Sequence, residues 1–162
     1  MSWLQKEVSI NSSHAMSWVQ KEVQLKPKSR GCHLITDELL QSIHSDLQKF
    51  EIGMCNLFLK HTSAALTLNE NCDPDVRYDM ENAMNRIVPE DTNNTGLYKH
   101  TDEGPDDMPG HVKSSLMGVS HTIPICNGRL NTGTWQGVWL HEFRDRASGR
   151  TVVVTINGKP KF

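Results

Sequence analysis

Hydrophobic and polar positions alternate along most of this chain, and in three stretches the period lengthens to that of a helix. Val19, Val23 and Leu25 share one side of a two-residue repeat, which predicts a strand over 19–25. Lys26-Pro27-Lys28-Ser29-Arg30-Gly31 reads as a turn, and 32–35 as a short strand. Leu39, Leu40, Ile43 and Leu47 then recur at helical spacing behind Thr36, read as an N-cap, with Asp37 and Glu38 at the positive end of the helix dipole. This predicts a helix to about Phe50. Alternation returns over 54–61, with Cys55, Leu57, Leu59 and His61 on one face, and after Thr62-Ser63 a further strand is expected over 64–68.

Asp73-Pro74 is a helix start, a capping carboxylate followed by proline at the first helical position. Val76, Met80, Ala83, Met84 and Ile87 give that helix its apolar face. Residues 88–108 then lack periodicity and are rich in Pro, Gly, Asn and Asp; loops of that length in compact domains tend to be functional. Asp107 and Pro109 open a short helix through Met117, ended by Gly118. Strands are expected over 121–126, 134–143 and 151–156, with turns at Asn127-Gly128 and Ala147-Ser148-Gly149. Hairpin-spaced strands with a few packed helices predict an α+β fold with a mostly antiparallel sheet.

The start holds an internal copy: Met1-Ser2-Trp3-Leu4-Gln5-Lys6-Glu7-Val8 recurs as Met16-Ser17-Trp18-Val19-Gln20-Lys21-Glu22-Val23. One repeat at one end does not make a solenoid. The domain is expected over 16–162, with 1–15 a leader or an artificially added duplicate of the start, and the repeated unit suits a sheet edge. The 162 residues can bury one core, and a net charge of -2 does not suggest a nucleic-acid binder. No apolar run spans a bilayer and no signal-peptide pattern stands at the N-terminus, so a cytoplasmic protein is expected. The four cysteines form no C-x-x-C pair and are read as apolar fillers, with Cys72, inside a polar stretch, set apart.

Chemistry concentrates in three places. His61, Asn69, Glu70, Asn71 and Asp73 surround one strand and turn. His100 and His111 flank Asp102, Glu103, Asp106 and Asp107, where glycine and proline fix the backbone path. Three imidazoles, His61, His100 and His111, suit zinc or a similar divalent cation, although His61 alone also reads as a hydrogen-bonded histidine at the rim of the core, and the acidic loop around His100 alone as a solvated surface. Glu70, then Asp106, are the acid/base candidates, and either could instead cap a turn. Asn69 and Asn71 could orient substrate or close a turn. In the third place, Arg129, Thr134 and Gln136, with Lys113 and Ser114 from the short helix, could hold an anion, or 129–136 is a β-turn anchored by Trp135. No P-loop, dinucleotide fingerprint or Ser-His-Asp order is present.

Four ordered motifs resemble the YjbQ family, whose members are often labelled secondary thiamine-phosphate synthases. They are His61-Thr-Ser-Ala-Ala-Leu-Thr-Leu-Asn-Glu-Asn71, Tyr98-Lys-His100, Asp106-Asp-Met-Pro-Gly-His111-Val-Lys-Ser-Ser115, and Gly128-Arg129 with Gly133-Thr-Trp-Gln136. The resemblance runs from about Met16 to Ile156. It implies a homotrimer with a pocket near subunit contacts, and zinc at His61, His100 and His111. It also implies a transferase that joins a hydroxymethylpyrimidine diphosphate to a thiazole phosphate with loss of pyrophosphate. Glu70, Asp106 and Asn69 would be catalytic, and Asn71, Lys113, Ser114, Arg129, Thr134 and Gln136 would bind the phosphorylated substrate. Glu142-Phe143-Arg144-Asp145 departs from the family's acidic-Phe-Asp-Gly pattern. A metal-dependent phosphoester hydrolase and a non-catalytic trimeric binder of small anions are the alternatives.

Overall fold

A computed structural model describes residues 16–93 and 95–161, so the expected leader, 1–15, lies outside the described residues. Strands β1 (Ser17–Gln24), β8 (Thr151–Pro160), β3 (Phe50–Leu59), β5 (Ser120–Cys126) and β6 (Arg129–Leu130) lie side by side in that order. A second sheet runs β2 (Gly31–Leu34), β7 (Gln136–Glu142), β4 (Ala64–Glu70). Each of these pairings is antiparallel, as the α+β reading expects. Three helices complete the described fold: α1 (Thr36–Leu47), α2 (Pro74–Ile87) and α3 (Asp107–Met117).

The inward sides of the two sheets make one core. Cys55, Leu57 and Leu59 of β3 meet Val152, Val154 and Ile156 of β8 and Ile123 and Ile125 of β5, facing Leu66, Val138 and Leu140 of the smaller sheet. Helix α1 contributes Leu39, Ile43 and Leu47 to the same cluster. Strand β7 is buried on both faces, because Trp139 and His141 turn away from this core. The Arg77 guanidinium of α2 lies 5.9 Å from the Trp139 ring, and the indole N–H donates to the Glu70 carbonyl. β1 is an edge strand, the place its alternation suggested.

Several local expectations give way to specific contacts. Thr36 is the first residue of α1 rather than its cap, and its hydroxyl accepts the Val138 N–H at 2.9 Å. β3 stops at Leu59, which puts His61 in the turn to β4 instead of on the strand face. β6 pairs with β5 behind Asn127-Gly128, both in the left-handed region that a tight hairpin demands. Of the cysteines only Cys55 is buried; Cys72 and Cys126 are exposed. Asp73 caps α2 as predicted, accepting the Asp75 N–H at 2.9 Å.

One glycine positions the rest. A Cβ on Gly110 of α3 would come within 3.0 Å of Ser63 Cβ and 3.3 Å of Phe143 Cβ. Its absence lets α3 press onto the β3–β4 turn, bringing His111 against the residues that carry His61. Among the described residues no helix is long and apolar enough to cross a membrane.

Candidate metal and anion site

Helix α3 begins with Asp107 and presents His111 one turn later, so both side chains lie on the same face. The preceding loop brings His100 to them. Ligand atoms of His100, Asp107 and His111 all lie within 4.8 Å of one another. Asp107 is 1% exposed, yet its carboxylate is crowded: Oδ2 lies 2.8 Å from His100 Nε2 and 3.3 Å from His111 Nε2, while Oδ1 pairs with Arg144. His111 Nδ1 lies 3.0 Å from the Thr62 carbonyl oxygen, which only accepts, so Nδ1 carries the hydrogen. In a neutral ring Nε2 then offers a lone pair to the carboxylate. Two acceptors face each other there, and a proton or a cation between them resolves the contact. Imidazole nitrogens with one carboxylate oxygen form a donor set that zinc and related divalent ions accept. The residues fit such an ion.

His61 stands across the same cavity rather than inside this cluster. The cavity, about 310 Å³, is lined by His61, Ser63, Asp107, His111, Arg146 and Arg150, among others. His61 Nε2 lies 2.8 Å from Arg150 Nη1, and its Nδ1 faces the Ser63 N–H at 3.1 Å. Burial, followed by the Arg150 guanidinium, holds the His61 pKa below its ordinary value. Arg150 is itself fixed by two hydrogen bonds to Glu142, at 2.7 and 2.8 Å, and Glu142 is fully buried. Arg144 ties the acidic loop down through Asp106 Oδ2 at 3.0 Å and the Glu103 carbonyl at 2.8 Å. Arg146 is exposed, and among the described residues it has no hydrogen-bond or ion-pair partner.

The other predicted residues lie elsewhere. Burial would raise the Asp106 pKa, but the Asp145 N–H and the Arg144 guanidinium overrule it and hold the carboxylate below its usual range. With Oδ2 taken by both donors, Asp106 anchors the loop. Asn69, Glu70 and Asn71 sit at the far end of β4, some 20 Å along the strand from the His61 turn. There Asn71 Nδ2 donates to the Thr134 and Gln136 carbonyls, Asn69 Oδ1 accepts the Glu70 N–H, and Glu70 Oε1 accepts the Asp73 N–H at 3.3 Å. Gln136 Oε1 closes the turn by accepting the Gly133 N–H at 2.8 Å. Within one chain this group is a separate polar corner. Lys113 is 1% exposed, donates to Asn85 and lies 5.6 Å from the Phe143 ring centroid; burial lowers its pKa. Ser114 is buried and donates to the Ala64 carbonyl, and Arg129 lines a cleft between α1 and β6 with Leu40 and His44.

Sequence reasoning passed over Asp107 as a ligand, and Arg144, Arg146 and Arg150 as cavity walls. The Asp-x-x-x-His spacing at 107–111 and the three arginines at 144, 146 and 150 were the available signals.

A family model described as "UPF0047 protein YjbQ-like" matches residues 21–159. The UPF0047 protein YjbQ of Escherichia coli O157:H7 is 50% identical over 135 residues, covering 83% of this chain and 94% of that protein. The Bacillus subtilis UPF0047 protein YugU is 35% identical over 123 residues, covering 75% of this chain and 88% of its own. Among solved structures, a YjbQ/UPF0047 family protein from Clostridium acetobutylicum superposes with a TM-score of 0.69 at 36% identity, covering 85% of this chain and 98% of that one. A YbjQ-like protein of unknown function from Sulfolobus solfataricus shares the fold, with a TM-score of 0.76 at 23% identity over 90% of this chain and all of that one.

Proposed function

This chain belongs to the UPF0047 (YjbQ-like) family, and from that premise we propose that it is a metal-dependent enzyme acting on phosphorylated small molecules. The observation that carries the reading is the cluster of His100, Asp107 and His111, of which Asp107 and His111 line a cavity together with Arg146, a cation with no partner among the described residues. His100, Asp107 and His111 would hold a divalent ion, zinc by the donor set, which would supply Lewis-acid neutralisation of phosphate charge. Arg146 captures the anion at the cavity mouth. Arg150, braced by Glu142, presents Nη1 from the wall, and Ser63 and Ser148 add hydrogen-bonding groups beside it. Arg144 holds the Asp107 carboxylate in place from behind.

The finer form of this proposal is the transferase that the motifs imply: a hydroxymethylpyrimidine diphosphate and a thiazole phosphate joined, with pyrophosphate released. Loss of pyrophosphate needs positive charge where negative charge develops, and the cavity supplies it in side chains. The protein works as a cytoplasmic homotrimer in this reading. All four cysteines are free, as a reducing compartment leaves them. The outer face of the larger sheet exposes Trp18, Ile52, Met54 and Phe58, apolar area suited to contact between copies.

The test is thiamine phosphate formation by purified, zinc-loaded protein. Wild type is expected to turn over, and His111→Ala and Arg146→Ala to lose at least about 100-fold and 10-fold of kcat/KM respectively. Folded variants that keep full activity sink the assignment. A phosphomonoester panel, run with and without chelator, separates this from the second reading, a phosphoester hydrolase, which the solvent-open cavity also favours.

A further inference from the structure

The cleft between α1, β6 and the start of β7 belongs neither to the metal cluster nor to the arginine-lined cavity. Gly137, which lines it, stands about 17 Å along β7 from Glu142, the residue that braces Arg150. Thr36, Leu40, His44 and Leu47 supply one wall, on a single stripe of α1 about 16 Å long. Leu130 and Val138 supply another. Leu47 and Val138 are core residues, and Leu40 and Leu130 pack on the core while staying partly exposed. Here the hydrophobic core reaches the surface uncovered. The cleft holds about 370 Å³, within the roughly 300–1,000 Å³ of small-molecule sites, which are mostly apolar with a few polar groups.

The rim of this cleft is cationic. Arg129 is exposed and lines it, and its guanidinium has no hydrogen-bond or ion-pair partner among the described residues. Lys161 reaches the same hairpin: its Nζ donates to the Asn127 carbonyl at 2.9 Å and would stand 2.8 Å from a Cβ on Gly128. No acidic residue lines the cleft. The Thr36 hydroxyl, which accepts the Val138 N–H, has its own hydrogen left to donate, and His44 adds a ring N–H. A wholly apolar molecule would leave the cations unmatched, and a small inorganic anion would leave the leucines in water. We propose that the cleft binds an aliphatic monocarboxylate, its chain along the α1 stripe and its carboxylate at the Arg129–Lys161 rim. The walls are leucine and valine, with no Phe, Tyr or Trp to stack a flat ring, and a carboxylate meets a guanidinium through two parallel hydrogen bonds. With no thiol or carboxylate among its lining residues, the cleft binds and does not react. This site is independent of the phosphate reading.

The experiment titrates octanoate into the full chain while leucine and valine methyl resonances are followed. Two comparisons run beside it: 1-octanol, with the same chain and no charge, and acetate, with the same charge and no chain. The expected result is a saturable shift of the Leu40, Leu130 and Val138 methyl signals, with octanoate bound about tenfold more tightly than octanol. In the double variant Arg129→Gln, Lys161→Gln, both at exposed positions and so expected to fold, that advantage should shrink to about twofold or less. Octanol bound as tightly as octanoate by wild type, or an advantage that survives in the double variant, overturns the carboxylate assignment. Acetate giving the same shifts overturns the aliphatic chain. No saturable shift at these methyls overturns the site altogether, and none of these results touches zinc or phosphate binding at the other end of β7.

Discussion

Asp107 shows how much one side chain can be asked to do. It opens α3, receives two imidazoles on one oxygen and a guanidinium on the other, and is nearly out of contact with solvent. Such a group is costly to bury unless cations meet it. His141 is the opposite case, a histidine kept neutral. It is fully buried between Cys32 Sγ at 3.0 Å and Thr67 Oγ1 at 2.7 Å, and burial pushes its pKa down from 6.5 to about 4. The unfolded chain protonates this ring as pH falls below 6.5, whereas the folded chain does not until about 4. Its contribution is thus complete above that upper value and is lost across the interval below it, by on the order of 3 kcal/mol. Urea unfolding at pH 7.5 and 4.5 should show that loss in wild type, and a correspondingly flatter dependence in His141→Asn. Equal pH slopes for the two would contradict it. At this scale the sequence grouped His61, His100 and His111, and the structure brings His100 and His111 together, ring centroids 5.6 Å apart, with Asp107 rather than His61 beside them. The sequence could not mark Arg146 or Arg150, because an arginine's partner, or the lack of one, exists only after folding.

Elements were more legible than contacts. The alternation over β3, β4, β5 and β8 and the cap at Asp73 are local signals, and the structure keeps them to within a few residues. Thr36 misled because its hydroxyl satisfies a β7 amide distant in sequence, and β6 was too short to carry any periodicity. β3 and β8 carry a second, non-local requirement. Gly53 and Gly158 are paired across these strands, and a Cβ on Gly53 would run into the Asn157 carbonyl oxygen, on Gly158 into that of Ile52. The two strands therefore approach more closely than side chains allow. Gly53→Ala is expected to cost about 1–3 kcal/mol by forcing the strands apart. Chemical denaturation of wild type and variant side by side measures it, and an unchanged midpoint would show that the strands yield freely. Since β3 feeds directly into the turn carrying His61, the same variant should also loosen that turn.

For the molecule as a whole, the sandwich is a platform and the proposed site lies at one end of it. The β3–β4 turn, the N-terminus of α3 and the segment between β7 and β8 meet there, so residues 61, 107, 111, 144, 146 and 150 gather from distant parts of the chain. Asn71 and Gln136, equally prominent in the sequence, gather at the opposite end of β4 and bind backbone there. Pattern alone had no means to separate the two groups, since strand length and the direction of each turn decide which end a residue reaches. The central claim is that His100, Asp107 and His111 hold a divalent cation. Zinc titration of the metal-free full chain, with Asp107→Asn and His111→Ala beside wild type, tests it directly. One tightly bound ion per chain is predicted for wild type, with affinity lower by about 100-fold or more in each variant. Zinc binding that is absent from wild type, or equally tight in both variants, contradicts it.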